Sequence, residues 1–84
     1  MGLKDNPIVD RATLILRHLY FRMGATLVSS LEDMKATGVI EDFYVKSLQE
    51  VVIYVPDSDK SRLAVVCYLF NGSVTVTDLQ LCRI

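Results

Sequence analysis

The first third of the chain repeats its apolar residues with the period of a helix. Between Asn6 and Met23, apolar side chains recur every three or four residues and fall on one arc roughly 140° wide, at ~100° per residue. Asn6 suits the cap of this helix, Pro7 its first turn, and Gly24 its end. The pattern predicts an amphipathic helix whose apolar face builds the core. The residues on that face are Ile8, Val9, Ala12, Ile15, Leu16, Leu19, Tyr20 and Met23.

A second and shorter helix is predicted over residues 30–37, with Thr26 as its earliest start. Ser29 and Glu32 have the spacing of a capping box, in which two side chains satisfy backbone N–H groups at the start of a helix. Gly38 is the predicted end. The inward-facing residues of this helix are Leu27, Leu31 and Met34.

An alternative interpretation joins both segments into one bent helix from Pro7 to Ala36. The apolar stripe drifts across Gly24 without vanishing. At 1.5 Å per residue, such a helix would exceed ~40 Å, which is longer than so small a domain covers with its own sheet. Two helices are therefore the favoured prediction.

Beyond Gly38, the period of the pattern changes from helical to alternating. Alternation around Phe43 and Val45 predicts a short strand. A longer strand follows, closed by Pro56, with Val51, Ile53 and Val55 facing inward. The polar run over residues 57–61 predicts a turn.

The two remaining strands form the clearest hairpin in the sequence. Residues 63–70 are apolar on both faces and rich in β-branched and aromatic side chains, which is typical of a central strand. Asn71 and Gly72 predict a type I′ turn. The last strand is predicted over residues 73–84. The residues predicted to face inward are Val74 and Val76 in its first half and Leu79 and Leu81 in its second half, so the alternation slips by one residue. A β-bulge near Thr77 on an edge strand would produce this slip.

These elements predict one α+β domain over residues 1–84. Two N-terminal helices pack on a three- to four-stranded antiparallel β-meander in a two-layer sandwich. Residues 1–5 are a flexible lead-in, residues 6–37 the helical part and residues 42–84 the sheet.

Two helices cover only one face of such a sheet, although residues 63–70 are apolar on both faces. One face therefore lacks a cover, and a second copy of the chain or another protein is expected to supply it. In the competing interpretation, Tyr44, Tyr54 and Tyr68 shield that face within the monomer.

Composition and charge limit the classes of partner expected for the domain. The chain is 51% hydrophobic with a mean hydropathy of +0.34, which is apolar for 84 residues and suits either a sufficient core for so small a domain or an oligomer interface. Its net charge of −1 creates no overall field for nucleic acid or an anionic membrane. No apolar run approaches the ~20 residues of a membrane span. No export signal opens the chain and two cysteines make no disulfide framework, so a cytoplasmic setting is expected.

The residues that carry enzyme chemistry are sparse in this sequence. His18 is the one histidine, so neither a His-His metal pair nor a Ser-His-Asp triad with a spare base can be assembled. Asp57 and Asp59 resemble part of a calcium loop, but its glycine and distal glutamate are missing and Lys60 opposes a cation. We therefore expect a non-enzymatic protein without cofactor or metal.

The outer face of the first helix is the candidate partner-binding site. It combines basic and apolar residues, as interface hot spots do. An acidic protein surface or another copy of the same helix would suit it. The alternative is that Leu14 and Phe21 belong to the core. The residues of this predicted site are Arg11, Leu14, Arg17, His18, Phe21 and Arg22.

A nucleic-acid interface is the alternative function for the same face. Arg11, Arg17 and Arg22, with Lys4, could contact phosphates, and α+β domains with an antiparallel sheet often bind nucleic acid. Such modules usually cluster more Lys and Arg than this chain does. Binding to protein is therefore the favoured prediction.

Overall fold

A computed structural model of the protein describes residues 6–58 and 60–83. The predicted lead-in, Lys4, Asp59 and Ile84 lie outside the described residues. The order of elements confirms the predicted α+β class, with two N-terminal helices before a four-stranded antiparallel sheet. The helical elements are α1 (Pro7–Arg17), a π-helical turn (His18–Arg22) and α2 (Leu27–Ala36), and the strands are β1 (Asp42–Val45), β2 (Glu50–Ser58), β3 (Ser61–Phe70) and β4 (Ser73–Arg83).

Helix α1 begins as predicted from the sequence. The side-chain oxygen of Asn6 accepts hydrogen bonds from the backbone N–H groups of Ile8 at 2.9 Å and Val9 at 3.4 Å. Pro7 occupies the first turn, where its missing N–H costs no intrahelical hydrogen bond. The predicted cap is therefore confirmed.

The last turn of the first helical segment is wider than an α-helical turn. The N–H of Met23 donates to the carbonyl of His18 at 2.9 Å, five residues back, instead of four. The extra residue changes the phase of the helix, so a helical-wheel projection at ~100° per residue no longer predicts which side chains face the core beyond it. Met23, predicted to be core, is 65% exposed, whereas Phe21 is half-buried and packs edge-on against Tyr20 at 4.8 Å between ring centroids. The prediction for Ile8 is also wrong, because this residue of the first turn is exposed.

Helix α2 begins earlier than residue 30, at the alternative start. The hydroxyl of Thr26 accepts a hydrogen bond from the N–H of Ser29 at 3.1 Å, so Thr26 is the cap. The capping box at Ser29 is wrong because Ser29 lies inside the helix. Gly24 adopts a φ of +74° between the two helices, which ends the first one. One continuous bent helix is therefore excluded. The predicted inward residues Leu27, Leu31 and Met34 are buried.

The sheet has the strand order β1-β2-β3-β4, and all neighbours are antiparallel. Pro56 lies within β2 opposite Arg62 and does not close the strand, in contrast to the prediction. Strand β1 begins at Asp42, opposite Tyr54, so among the described strands β2 has a neighbour on one side only at Pro56. A residue without an N–H is tolerated at such a position.

The hairpin between β3 and β4 confirms the local predictions. Asn71 and Gly72 have φ values of 51° and 81°, as a type I′ turn requires. The pairing shifts between Val66 and Cys67 of β3, and Thr77 is the extra residue of β4, which forms the bulge on this edge strand. Leu81 was predicted to face the core, but it is exposed because the cover of this face does not extend to the end of the edge strand.

The helical layer covers one face of the sheet, the inner face. Helix α1 packs against β2 and β4, and α2 packs against β1. Side chains that point inward from β2 and β3 are fully enclosed between the layers. The buried core comprises Val9, Ala12, Leu16, Leu27, Leu31, Met34, Ile40, Val51, Ile53, Val55, Leu63, Val65, Cys67 and Leu69.

The two cysteines lie on opposite faces of the sheet and are both free thiols. Cys67 points inward and pairs with Val76, whereas Cys82 pairs with Arg62. Because their side chains point to opposite faces of the sheet, no bridge joins these two residues. Burial raises the pKa of the Cys67 thiol to about 12, because the apolar core disfavours a thiolate.

Candidate functional site

The outer face of the sheet carries an apolar surface that neither described helix covers. Along each strand, its residues alternate with those of the core. We call this surface the open sheet face. It consists of Tyr44, Val52, Tyr54, Pro56, Ala64, Val66, Tyr68, Phe70 and Cys82.

The aromatic residues of the open sheet face remain in contact with solvent. Tyr44 is 61% exposed and Phe70 57% exposed. Phe70 stacks on the exposed ring of Tyr68 at 6.1 Å between centroids. Val52 and Val66 lie next to each other in the centre and are half-buried by their neighbours. The tyrosines therefore shield this face only in part, and large rings are left without a covering layer.

Charged residues stand at two opposite ends of the open sheet face, and Asp78 of β4 lies opposite Val66 near its centre. At one end, the Arg62 guanidinium lies 4.5 Å from the ring centroid of Tyr54 and 3.9 Å from a carboxylate oxygen of Glu41. At the other end, Glu50 lies 4.0 Å from the ammonium of Lys46. Both pairs are partly exposed and long, so their carboxylates and cations are open to further partners.

A third ion pair lies at the β1 edge of the sheet. The ammonium of Lys35, at the end of α2, is 3.4 Å from a carboxylate oxygen of Asp42. The backbone N–H of Phe43 also donates to Asp42 at 2.8 Å. This hydrogen bond, followed by the charge of Lys35, lowers the pKa of Asp42 below its ordinary value. The pair connects the helical layer to the edge strand.

Five of the six residues of the predicted site on the first helix are exposed. They are Arg11, Leu14, Arg17, His18 and Arg22. Phe21 is turned away from Leu14 by the π-helical turn and contacts the rim of the core. Leu14 therefore remains as the apolar residue of a basic helix face.

The basic helix face has no acidic counterpart within the described chain. Residues 11–31 contain no Asp or Glu. No carboxylate of residues 6–58 and 60–83 lies within 4.0 Å of the side-chain nitrogens of Arg11, Arg17 or Arg22. These cations are therefore available to an external anion.

An apolar groove lies at one end of the molecule, and sequence reasoning missed it. It has a volume of about 850 Å³ and is open to solvent. The π-helical turn forms one side, and the β1–β2 loop and the β3–β4 turn form the other. The sequence held one signal, Leu48, which is an apolar residue within a polar loop. The residues of the groove are Tyr20, Phe21, Ser47, Leu48, Gln49, Leu69, Phe70 and Asn71.

Metal and membrane sites are not seen in the described part of the chain. In residues 6–58 and 60–83, no three His, Cys, Asp or Glu side chains come together as a metal site requires. Of the helices in those residues, none has both the length and the hydropathy needed to cross a membrane. Asp57 lies near the end of β2, where its carboxylate accepts a hydrogen bond from the Ser61 hydroxyl at 3.2 Å.

Three comparisons with known proteins accompany this geometry. The chain matches no protein-family model, no curated protein and no solved structure.

Proposed function

We propose that the protein is a non-enzymatic assembly module that forms a homodimer through its open sheet face. The observation that carries the proposal is the apolar centre of that face, where the half-buried Val52 and Val66 are flanked by the exposed rings of Tyr44 and Tyr68. Burial of such a surface against a second copy removes apolar area from water. Because Cys67 and Cys82 are both free thiols, we place this assembly in the cytoplasm.

The size of the open sheet face suits a dimer of modest stability. Three strands at ~4.8 Å spacing over the ~26 Å between Arg62 and Phe70, together with the shorter β1, cover about 440 Å². Two copies packed face to face would bury roughly 900 Å², which is just below the usual lower limit for a specific interface. We therefore expect a dimer that dissociates within the micromolar range.

The charges at the ends of the face favour one arrangement of the two copies. Arg62 lies opposite Pro56, and Glu50 lies opposite Tyr68, six residues further along β3. The two charges are thus about 20 Å apart along the strands. A two-fold axis in the interface plane, perpendicular to the strands, brings Arg62 of each copy towards Glu50 of the other. Such an isologous contact forms twice in the dimer.

The first experiment measures molecular mass against concentration. Light scattering after size exclusion and sedimentation equilibrium, from ~1 to ~200 µM, should show a monomer–dimer equilibrium. Val66→Lys should give a folded monomer. The dimer is lost because the two copies place like charges at the centre of the interface. The fold is kept because Asp78, opposite Val66, can pair with the lysine in each monomer. Val28→Lys is the matched control, since Val28 is exposed on α2.

The second experiment tests the arrangement by exchange of charges. Arg62→Glu and Glu50→Arg should each weaken the dimer about tenfold, because each creates a like-charge pair between copies. The double variant should restore the affinity. A wild-type protein that stays monomeric at ~200 µM would overturn the proposal, and so would a dimer that Val66→Lys leaves intact.

A further inference from the structure

The apolar groove is built around the one irregular turn of the helical layer. The π-helical turn carries Phe21 to the end of the sheet, where the ring packs against Tyr20 and borders the opening. In an uninterrupted α-helix, Phe21 would share the outer face with Leu14. Single π turns are frequent at functional sites, since they re-aim side chains at a small cost in hydrogen bonding.

The opposite side of the groove presents Leu48 to solvent from an ordered loop. The Ser47 hydroxyl accepts hydrogen bonds from the N–H groups of Gln49 at 3.2 Å and Glu50 at 3.1 Å. The carbonyl of Gln49 accepts a further hydrogen bond from the N–H of Leu69 at 2.7 Å, which ties the loop to β3. Leu48 is nevertheless 80% exposed. A fixed apolar side chain at a loop tip is preorganised for contact with a partner.

Two exposed arginines flank Phe21 on the helical side of this groove, outside the residues that line it. Arg17 lies about one turn before Phe21, and Arg22 follows it directly. Neither guanidinium has a carboxylate within 4.0 Å among the residues that the structure describes. Apolar walls next to such cations complement a chain that carries apolar and acidic side chains together.

We propose that the apolar groove binds an acidic amphipathic segment of a partner protein. Apolar side chains of the segment enter between Phe21 and Leu48, and its carboxylates pair with Arg17 and Arg22. This binding site lies beyond the dimer, because it takes a different partner at a different surface. Only Phe70 borders both surfaces.

The chemistry of the groove favours a polypeptide over a nucleic acid. Leu48 and Leu69 line it with aliphatic surface, which suits aliphatic or aromatic side chains. A nucleic acid would require a denser set of phosphate contacts, whereas this chain has a net charge of −1. Tyr20 and Phe21 can also stack on bases, so single-stranded DNA is a necessary competitor in the test.

The experiment measures fluorescence anisotropy with four labelled probes of about twelve residues each. The first is a peptide in which Leu and Phe are spaced among Glu residues. The second replaces every Glu by Gln, the third replaces Leu and Phe by Ser, and the fourth is single-stranded DNA. We expect the first peptide to bind at least about tenfold more tightly than each of the others. Its binding should weaken as salt rises, because the Arg contacts are exposed.

Variants of the protein locate the binding site. Leu48→Ser should weaken binding of the first peptide about tenfold, whereas Leu81→Ser, at another exposed leucine, should leave it unchanged. Arg17→Glu with Arg22→Glu should abolish the salt dependence and most of the affinity. Thermal unfolding of each variant should match the parent, since all four side chains are exposed.

Several outcomes would overturn the groove proposal. The first is that the Glu-containing peptide does not bind at ~1 mM, and the second is that its Gln version binds equally tightly. The others are that single-stranded DNA binds more tightly than this peptide, and that Leu48→Ser and Leu81→Ser weaken its binding equally. The monomeric Val66→Lys variant separates this proposal from the dimer. Peptide binding by that variant supports the groove even where the dimer proposal fails.

Discussion

The two faces of the sheet use similar side chains but have opposite surroundings. On the inner face, Ile53 and Val65 are fully enclosed by the helical layer, whereas on the outer face no described helix lies above Val52 and Val66. The inner residues are held in place by packing, which makes the inner face the source of stability. The outer residues contribute less to the fold of one chain, so their apolar character is available for contact with another. Four predictions test this division.

The largest difference in stability is expected between two lysine variants at adjacent residues of β3, Val65 and Val66. Val65→Lys should prevent folding, because a buried and unpaired ammonium costs as much as the whole stability of roughly 4 to 13 kcal/mol expected for 84 residues. Val66→Lys should remain folded. Circular dichroism and dispersion of amide signals in NMR measure both. Unfolding of Val66→Lys would mean that the outer face belongs to the core of the monomer.

A pair of leucines opposite each other in the sheet gives the next largest difference. Leu63→Ala should lower the free energy of unfolding by about 3 to 5 kcal/mol, because it leaves a cavity under the helices. Leu81→Ala should lower it by less than about 1 kcal/mol, since Leu81 is 51% exposed. Urea titration of both variants checks the values. Equal losses would mean that the cover of the inner face extends over β4.

The two cysteines, one on each face, should differ in how they change the stability with pH and in how they react with a thiol reagent. In the unfolded chain, Cys67 loses its proton above the ordinary thiol pKa of 9.0. In the folded protein it keeps this proton until the pH reaches its raised pKa of about 12. Because the folded state then binds more protons, the free energy of unfolding should fall as pH rises through this window, by about 1.4 kcal/mol per unit. Urea titration at several pH values measures the slope.

Substitution assigns that slope to one residue. Cys67→Ala should flatten the fall in stability, and Cys82→Ala is the matched control on the outer face. A thiol reagent should modify Cys82 in the native protein and Cys67 only after unfolding, because Cys67 is fully buried. Rapid modification of both thiols at neutral pH would contradict the enclosed inner face.

The smallest effect concerns Arg62, a charged side chain that lies over an aromatic ring of the outer face. Arg62→Ala should lower the free energy of unfolding of the monomer by about 0.5 to 1 kcal/mol, the value of an exposed cation–π contact with Tyr54. Arg11→Ala, at an exposed arginine of α1, should have no measurable effect. A loss of several kcal/mol at Arg62 would show that this side chain acts as a true cover.

Much of the fold could be predicted because its signals are local. Asn6 acts through hydrogen bonds to the next residues, and Gly24 and the Asn71-Gly72 turn act through their own backbone conformations. Each was predicted correctly. The bulge at Thr77 was visible as a change in the alternation of apolar residues. Both apolar faces of β3 could be predicted in the same way, because side chains on a strand alternate.

The features that were missed depend on contacts between distant parts of the chain. The π-helical turn has no sequence signature of its own, and it moved Met23 out of the core and Phe21 towards it. Pro56 was expected to end β2, because the sequence does not show how far β1 extends beside it. The groove arises where the π turn meets two sheet loops, so no single segment predicts it. The predicted helix site is exposed at five of its six positions, while its binding to a partner stays a prediction.

The bulge at Thr77 has a consequence for the free edge of the sheet. Strand β4 is eleven residues long and has a neighbour on one side only, so its other side could template the growth of amyloid-like fibrils. The extra residue breaks the regular repeat of that edge, and Asp78 beside it places a charge there. This irregularity therefore protects the protein from uncontrolled stacking of strands.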